Sequence, residues 1–181
     1  HHARDRQEVK EMIEQKQWKK FLRVIPVKKG DFFQINPGCL HAIRKGTLLL
    51  ETQQNSDITY RVYDYDRMSG GKPRELHQKQ SLGVIRAPLK EEETKGCRRS
   101  LPARGGSREL LTECSRYSVE RIAVEGEMSL SWDRPFINVS VVGGKGTAAG
   151  IPVKKGSHFI VPYGFGALDL KGEMELICSY V

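Results

Sequence analysis

The chain has 181 residues, 38% hydrophobic and 29% charged, with a formal net charge of +8. That length suits one sizeable domain or two small ones, and the longest apolar runs, such as Thr47-Leu48-Leu49-Leu50, are too short to cross a bilayer as helices. The positive charge is dispersed among acids, as in Glu8-Val9-Lys10-Glu11. That dispersal reads as a solvated basic surface, and with no helix-turn-helix, RNP-like or zinc-finger pattern a phosphorylated small molecule fits as an anionic partner as well as nucleic acid does.

Residues 5–22 carry a helical pattern. Val9, Met12 and Ile13 recur at i, i+3 and i+4, and Trp18, Phe21 and Leu22 repeat it one phase later, which predicts a break near residues 15–17. From Val24 the texture turns to short apolar runs punctuated by Lys29-Gly30-Asp31, Asn36-Pro37-Gly38 and Lys45-Gly46, which is strand-and-turn grammar. Thr59-Tyr60-Arg61-Val62-Tyr63 alternates, so Thr59, Arg61 and Tyr63 share one face while Tyr60, Val62 and Asp64 share the other. Residues 74–86 hold a further short helical stretch.

The division expected is a helical segment at 1–23, a β segment at 24–87, a linker or loop at 88–108 and a second β domain at 109–181. The linker is assigned because 88–108 has no periodicity and holds Pro88, Pro102, Gly96, Gly105 and Gly106.

The two β segments share a repeat. Ile25-Pro26-Val27-Lys28-Lys29-Gly30 recurs as Ile151-Pro152-Val153-Lys154-Lys155-Gly156, and without gaps Phe33 meets Phe159, Gly38 meets Gly164 and Lys45-Gly46 meets Lys171-Gly172. Ten of the 22 aligned positions are identical, which implies two copies of one β unit. The copies part at one chemically telling place: His41 aligns with Ala167. A histidine that the fold itself required would be needed in both copies, so His41 is a candidate for chemistry. By the same reasoning His158, Lys154 and Lys155 are structural. His77, in a polar stretch, is expected to be solvated. The four cysteines, Cys39, Cys97, Cys114 and Cys178, form no CxxC pair and are expected to be reduced thiols of a cytosolic protein.

The run from Gly30 to Arg67, including Pro37-Gly38-Cys39-Leu40-His41-Ala42 and Leu50-Glu51-Thr52-Gln53-Gln54-Asn55-Ser56-Asp57-Ile58-Thr59-Tyr60-Arg61-Val62-Tyr63-Asp64-Tyr65-Asp66-Arg67, resembles the class I mannose-6-phosphate isomerases in their short bacterial form. The resemblance continues to the tail Gly156-Ser157-His158-Phe159-Ile160-Val161-Pro162. It implies a mainly β protein of cupin (jelly-roll) barrels with a small helical segment at the N-terminus.

It also implies one Zn2+ held by a Gln, a His, a Glu and a second His, and interconversion of mannose 6-phosphate and fructose 6-phosphate through an enediol(ate). His41 matches the last metal ligand. Arg61 and Glu51 match residues of the active site, and Arg67 is a candidate for binding the substrate phosphate. The other three ligands find no match here: there is no Gln-x-His-Pro pattern.

Together with a start at His1-His2-Ala3-Arg4 that resembles the middle of the family chain, this makes the sequence resemble a C-terminal portion. Such a portion alone is expected to be metal-poor, aggregation-prone and inactive. A non-catalytic sugar-phosphate-binding or regulatory cupin is the alternative. Neither a membrane nor nucleic acid is expected as a partner, and the oligomeric state is not readable.

Overall fold

The structure, a computed structural model, describes residues 1–56 and 58–181. The chain folds as two compact units, His1–Lys95 and Gly96–Val181.

In the first unit, α1 (Arg6–Glu14) begins where the Asp5 side chain accepts the Glu8 backbone N–H at 2.8 Å, a side-chain N-cap. Its apolar stripe, Val9, Met12 and Ile13, is buried. Lys16 then takes a left-handed φ of 53°, which ends the first helical phase, and α2 (Trp18–Phe21) starts the second. The break therefore falls where the phase shift placed it. Phe21 is fully buried, and the cluster around it draws in Val62, Ile85 and, at its edge, Leu40. Trp18 stacks on Tyr63, with ring centroids 4.8 Å apart and planes within 9°. A third helix, α3 (Gln78–Val84), lies within the stretch 74–86.

The described residues of 24–56 and 58–66 do not pair into strands, contrary to the expectation from their texture. The only ladder in this unit, among the described residues, is the hairpin of β1 (Met68–Ser69) and β2 (Lys72–Pro73), closed by Gly70-Gly71 with φ of 59° and 79°. A sequence can carry the alternation of a strand, but the strand forms only against a partner that takes its backbone N–H and C=O groups.

The second unit holds seven strands: β3 (Arg99–Leu101), β4 (Gly106–Glu113), β5 (Ser118–Leu130), β6 (Phe136–Ala148), β7 (Ile151–Lys154), β8 (His158–Pro162) and β9 (Leu168–Tyr180). All pairings are antiparallel, in the order β3-β4-β5-β9-β6-β7, with β8 also on β6. The partner of β6 thus changes from β8 at one end to β7 at the other, across the Lys155-Gly156 turn. Alternate residues of β5, β6 and β9 face the core, among them Ile122, Val124, Val139, Val141, Leu170 and Leu176.

The expected linker at 88–108 is a different object. Glu91–Thr94 forms a 3-10 turn in the first unit, the units divide between Lys95 and Gly96, and β3 pairs with β4 from Arg99 onward. A three-residue edge strand is too short for its alternation to register, and Arg98, just before it, and Arg99, its first residue, make ion pairs across the hairpin to Glu109 and Glu113, each at 3.1 Å.

The repeat is visible in the turns. In the first copy the Asp31 N–H donates to the Lys28 carbonyl at 3.1 Å, and in the second the Ser157 N–H donates to the Lys154 carbonyl at 2.8 Å. In each, the side chain of the last residue turns back onto the first: Asp31 accepts the Lys28 N–H at 2.9 Å and Ser157 accepts the Lys154 N–H at 3.0 Å. Gly30 and Gly156 have φ of 89° and 91°, the value a type II turn demands at its third residue. A second shared turn joins Cys39 N–H to the Asn36 carbonyl at 3.0 Å and Phe165 N–H to the Pro162 carbonyl at 3.3 Å.

The copies differ in what covers them. Val161, Met174 and Leu176 are buried, whereas their equivalents Ile35, Leu48 and Leu50 are 41%, 91% and 43% exposed.

Candidate functional site

His41 follows the second of these shared turns. Gly38 has φ of 82°, and a Cβ there would lie 2.4 Å from the Val84 carbonyl oxygen. The Arg86 N–H donates to the Gly38 carbonyl at 3.0 Å. The turn is thereby tied to the end of α3 by a contact that admits only glycine. Leu40 then packs on the helical core, and His41 projects outward.

The Nδ1 of His41 lies 3.0 Å from the Cys39 carbonyl. A carbonyl can only accept, so Nδ1 carries the proton and Nε2 presents its lone pair. This is the arrangement by which metal-binding histidines are oriented from behind. One donor therefore fits a metal. Among the described residues no group of three His, Cys, Asp or Glu side chains could close around one.

Glu51 is exposed. Extending the repeat register without a gap places it at Ile177, on the face of β9 opposite the buried Leu176 and Cys178. An inward Glu51 requires a one-residue bulge after Gly46, because a slip of one residue exchanges the two faces of a strand.

Arg61 is half-buried, and Val62 and Asp64 alternate with it as buried positions, as the strand pattern predicts. Its backbone is held by His77: the Arg61 N–H donates to His77 Nδ1 at 3.3 Å, and the His77 N–H donates to the Arg61 carbonyl at 2.7 Å. His77 is thus mostly buried, with its side chain 19% exposed. The expectation that it is solvated is corrected, for its polar neighbours in sequence are not its neighbours in space.

The carboxylate nearest in sequence also goes elsewhere. Asp64 takes both Nε and Nη2 of Arg74, the first at 2.5 Å. This bidentate pair holds the Asp64 carboxyl below the usual aspartate range, opposed by desolvation and reinforced by the charges of Arg74, Arg67 and Arg61. Asp57 lies outside the described residues.

Arg67 follows a turn in which its N–H donates to the Asp64 carbonyl at 3.1 Å, and its guanidinium lies 5.5 Å from the centre of the Tyr65 ring. Asp64 and Arg67 are therefore the two ends of one turn. No hydrogen bond or ion pair joins His41 or Glu51 to them among the described residues.

Asp64 and Arg74 are the residues that sequence reasoning missed. Their spacing of ten residues spans a hairpin that only Gly70-Gly71 announced. Since the folded pKa of Asp64 is lowered, the stability the pair contributes is present above the unfolded value of about 3.9 and is lost as pH falls through the lower folded value. A carbon-detected titration of Asp64 is expected to show it still ionised at pH 4.

The second unit carries its own polar cluster. Glu120 is fully buried and takes Arg108 Nε at 2.5 Å and Nη2 at 3.0 Å, while the Tyr180 hydroxyl donates to it. Arg108 lies 5.5 Å from the centre of the Trp132 ring and Arg134 5.1 Å from that of Tyr180. Burial raises the Tyr180 hydroxyl and the Cys178 thiol well above their ordinary pKa values. The positions of His158, Lys154 and Lys155 are those of strand and turn residues, and His158 Nδ1 meets Ser140 Oγ at 2.8 Å.

Residues 107–181 match the family profile for the mannose-6-phosphate isomerase cupin domain. Mannose-6-phosphate isomerase ManA of Bacillus subtilis is 43% identical over 190 residues, an alignment covering 100% of this chain and 58% of that protein.

Along its whole length the chain is similar to the mannose-6-phosphate isomerases.

The mannose-6-phosphate isomerase of Streptococcus mutans is 35% identical over 185 residues, covering 99% of this chain and 58% of its own length. The crystal structure of the mannose 6-phosphate isomerase from Bacillus subtilis matches with a TM-score of 0.92 at 37% identity, over 99% of this chain and 58% of that one. The architecture is accordingly the mainly β cupin fold with small helices. The chain spans 58% of the length of these relatives. None of its described helices is long and apolar enough to cross a membrane.

Proposed function

We propose that the protein is a cytosolic aldose–ketose isomerase that interconverts mannose 6-phosphate and fructose 6-phosphate with the help of zinc. The observation that carries this is the ring of His41: Nδ1 is committed to the Cys39 carbonyl and Nε2 is left to coordinate, at the one position where the other copy of the repeat has alanine. The family's remaining donors, a Gln, a His and a Glu, would come from the part of the relatives' length that these residues do not span. The same part would cover Ile35, Leu48 and Leu50, whose equivalents Val161, Met174 and Leu176 are core residues.

When bound, zinc supplies a Lewis acid that orients and polarises the sugar oxygens. This chain's residues do the rest. Glu51, turned inward, moves the proton between C1 and C2, as a carboxylate held near the reacting carbons can. Arg61 faces the negative charge that develops on the sugar oxygen and stabilises it. Arg67 holds the phosphate, which fixes the sugar relative to the proton-transfer group.

The test is zinc content and coupled isomerase turnover of the full-length protein and of the 181-residue chain. One zinc per chain with turnover is expected of the first, and little zinc with no turnover of the second. Tight sugar-phosphate binding by the full-length protein without turnover would replace this reading with a non-catalytic sugar-phosphate-binding cupin.

A further inference from the structure

His77 stands at the head of α3, but its side chain does not serve the helix. An N-cap side chain ordinarily accepts a backbone N–H of the first helical turn, which is why Ser, Thr, Asp and Asn are favoured there. His77 is the N-cap of α3 and its ring makes no such bond. Instead Nδ1 accepts the Arg61 N–H at 3.3 Å, while the His77 N–H donates to the Arg61 carbonyl at 2.7 Å. A backbone N–H can only donate, so Nδ1 presents its lone pair and the proton sits on Nε2, the opposite tautomer to that of His41.

The two bonds close a ring that satisfies both backbone polar groups of Arg61. In a sheet, a neighbouring strand would do this. The described residues around Arg61 form no ladder, and an imidazole nitrogen stands in for the missing carbonyl. The next two residues are held as well. Gln78 Nε2 donates to the Val62 carbonyl at 3.2 Å, and the Tyr63 ring stacks on Trp18. The imidazole is itself braced, with Nε2 3.8 Å from the Glu75 carboxylate and the Tyr60 ring centred 6.0 Å away. The Arg61 side chain therefore leaves from a fixed base.

We propose that His77 is a positioning residue for the reaction: by fixing the Arg61 backbone it sets where the guanidinium meets the negative charge that develops on the sugar. This deepens the isomerase reading and rests on it. His77 touches neither sugar nor metal in this account and acts through Arg61 alone. A cation placed in advance stabilises a transition state because nothing has to reorganise when the charge appears.

The discriminating variant is His77→Ser. Serine is a favoured N-cap, so α3 keeps its head. Its Oγ stands where the imidazole Cγ stood, one bond short of Nδ1, and leaves the Arg61 N–H without its acceptor. A merely structural His77 predicts a thermal midpoint that falls and carries turnover down with it. A positioning His77 predicts lost turnover with the midpoint held.

The experiment is coupled isomerase kinetics on the full-length protein, with zinc content, thermal midpoint and amide hydrogen exchange by NMR recorded for each variant. His77→Ser is expected to lower kcat about 10- to 100-fold, the scale of a small misplacement at a reacting centre. KM is expected to stay within about twofold, because the interaction lost is made in the transition state. Zinc content stays unchanged. In an Arg61→Ala background the same substitution is expected to cost nothing further, since the two residues act as one unit. The Arg61 N–H is expected to lose its protection from exchange while the α3 amides keep theirs. Full turnover in His77→Ser, a midpoint that falls in step with turnover, a further loss on top of Arg61→Ala, or an Arg61 N–H that stays protected overturns the proposal and leaves the isomerase reading standing. Should His77→Ser not fold, nitrogen spectra of the unmodified protein decide, and a proton found on His77 Nδ1 overturns the proposal. An unmodified full-length protein that turns over no mannose 6-phosphate sinks the isomerase reading, and the role of His77 with it.

Discussion

In the full-length protein, His41→Ala is expected to abolish stoichiometric zinc, whereas Arg61→Ala keeps zinc and loses turnover. The imidazole of His41 is already oriented by the Cys39 carbonyl, so alanine removes a donor whose geometry has been set in advance. Losing even an outer partner of a metal ligand costs about 10- to 100-fold in affinity, and losing the ligand itself exceeds that. Arg61 makes no metal contact in this reading. Its removal withdraws a cation from the developing oxyanion, an effect of about 100- to 1,000-fold in kcat. Metal analysis by plasma emission alongside steady-state kinetics separates the two. Equal zinc loss in both variants would merge their roles and refute the division.

The second large effect lies in the other unit. Glu120→Ala is expected to destabilise Gly96–Val181 by about 3–5 kcal/mol, the cost of removing one partner from a buried ion pair. Glu120 is fully buried, and Arg108 Nε and Nη2 both bind it, as does the Tyr180 hydroxyl. Alanine would leave the guanidinium with only the Trp132 ring and the Tyr180 hydroxyl without its acceptor. Exchanging both partners for apolar residues, as in Arg108→Met with Glu120→Leu, is expected to be close to neutral, because no charge is then left behind. Urea unfolding followed by tryptophan fluorescence reads this directly, since Trp132 sits against Arg108. A midpoint that moves as far for the double variant as for the single one would show that the cluster is not an ion-pair effect.

Much of the architecture was legible from residue order. The break between α1 and α2 appeared as a phase shift. The turns at Gly30 and Gly156, and at Gly38 and Gly164, appeared as a repeat, because a turn is a local object whose dihedral demands fall on particular residue types. The contrast of His41 with Ala167 needed only that alignment. The face occupied by Arg61 followed from alternation. Glu51 shows where such reasoning stops: its face depends on a bulge that one residue of register decides, and register is a property of the pair of strands rather than of either alone.

The β texture of residues 24–66 stops at the same boundary. The pattern is present, yet a strand needs a neighbouring strand for its backbone groups, and the described residues of this stretch form no ladder.

By itself, then, the sequence determined the repeat, the helical breaks, the turn chemistry and the likeness to the mannose-6-phosphate isomerases. Only the tertiary structure decided which charges meet. It gave Asp64 to Arg74 across a glycine hairpin rather than to Arg61 three residues away, buried His77 against the Arg61 backbone, and brought Tyr180 to Glu120 from 60 residues distant. The physical reason is range. Dihedral preferences act over a few residues and are written in composition, whereas an ion pair is settled by which backbones have already been brought together, and by which carboxylate has lost its water.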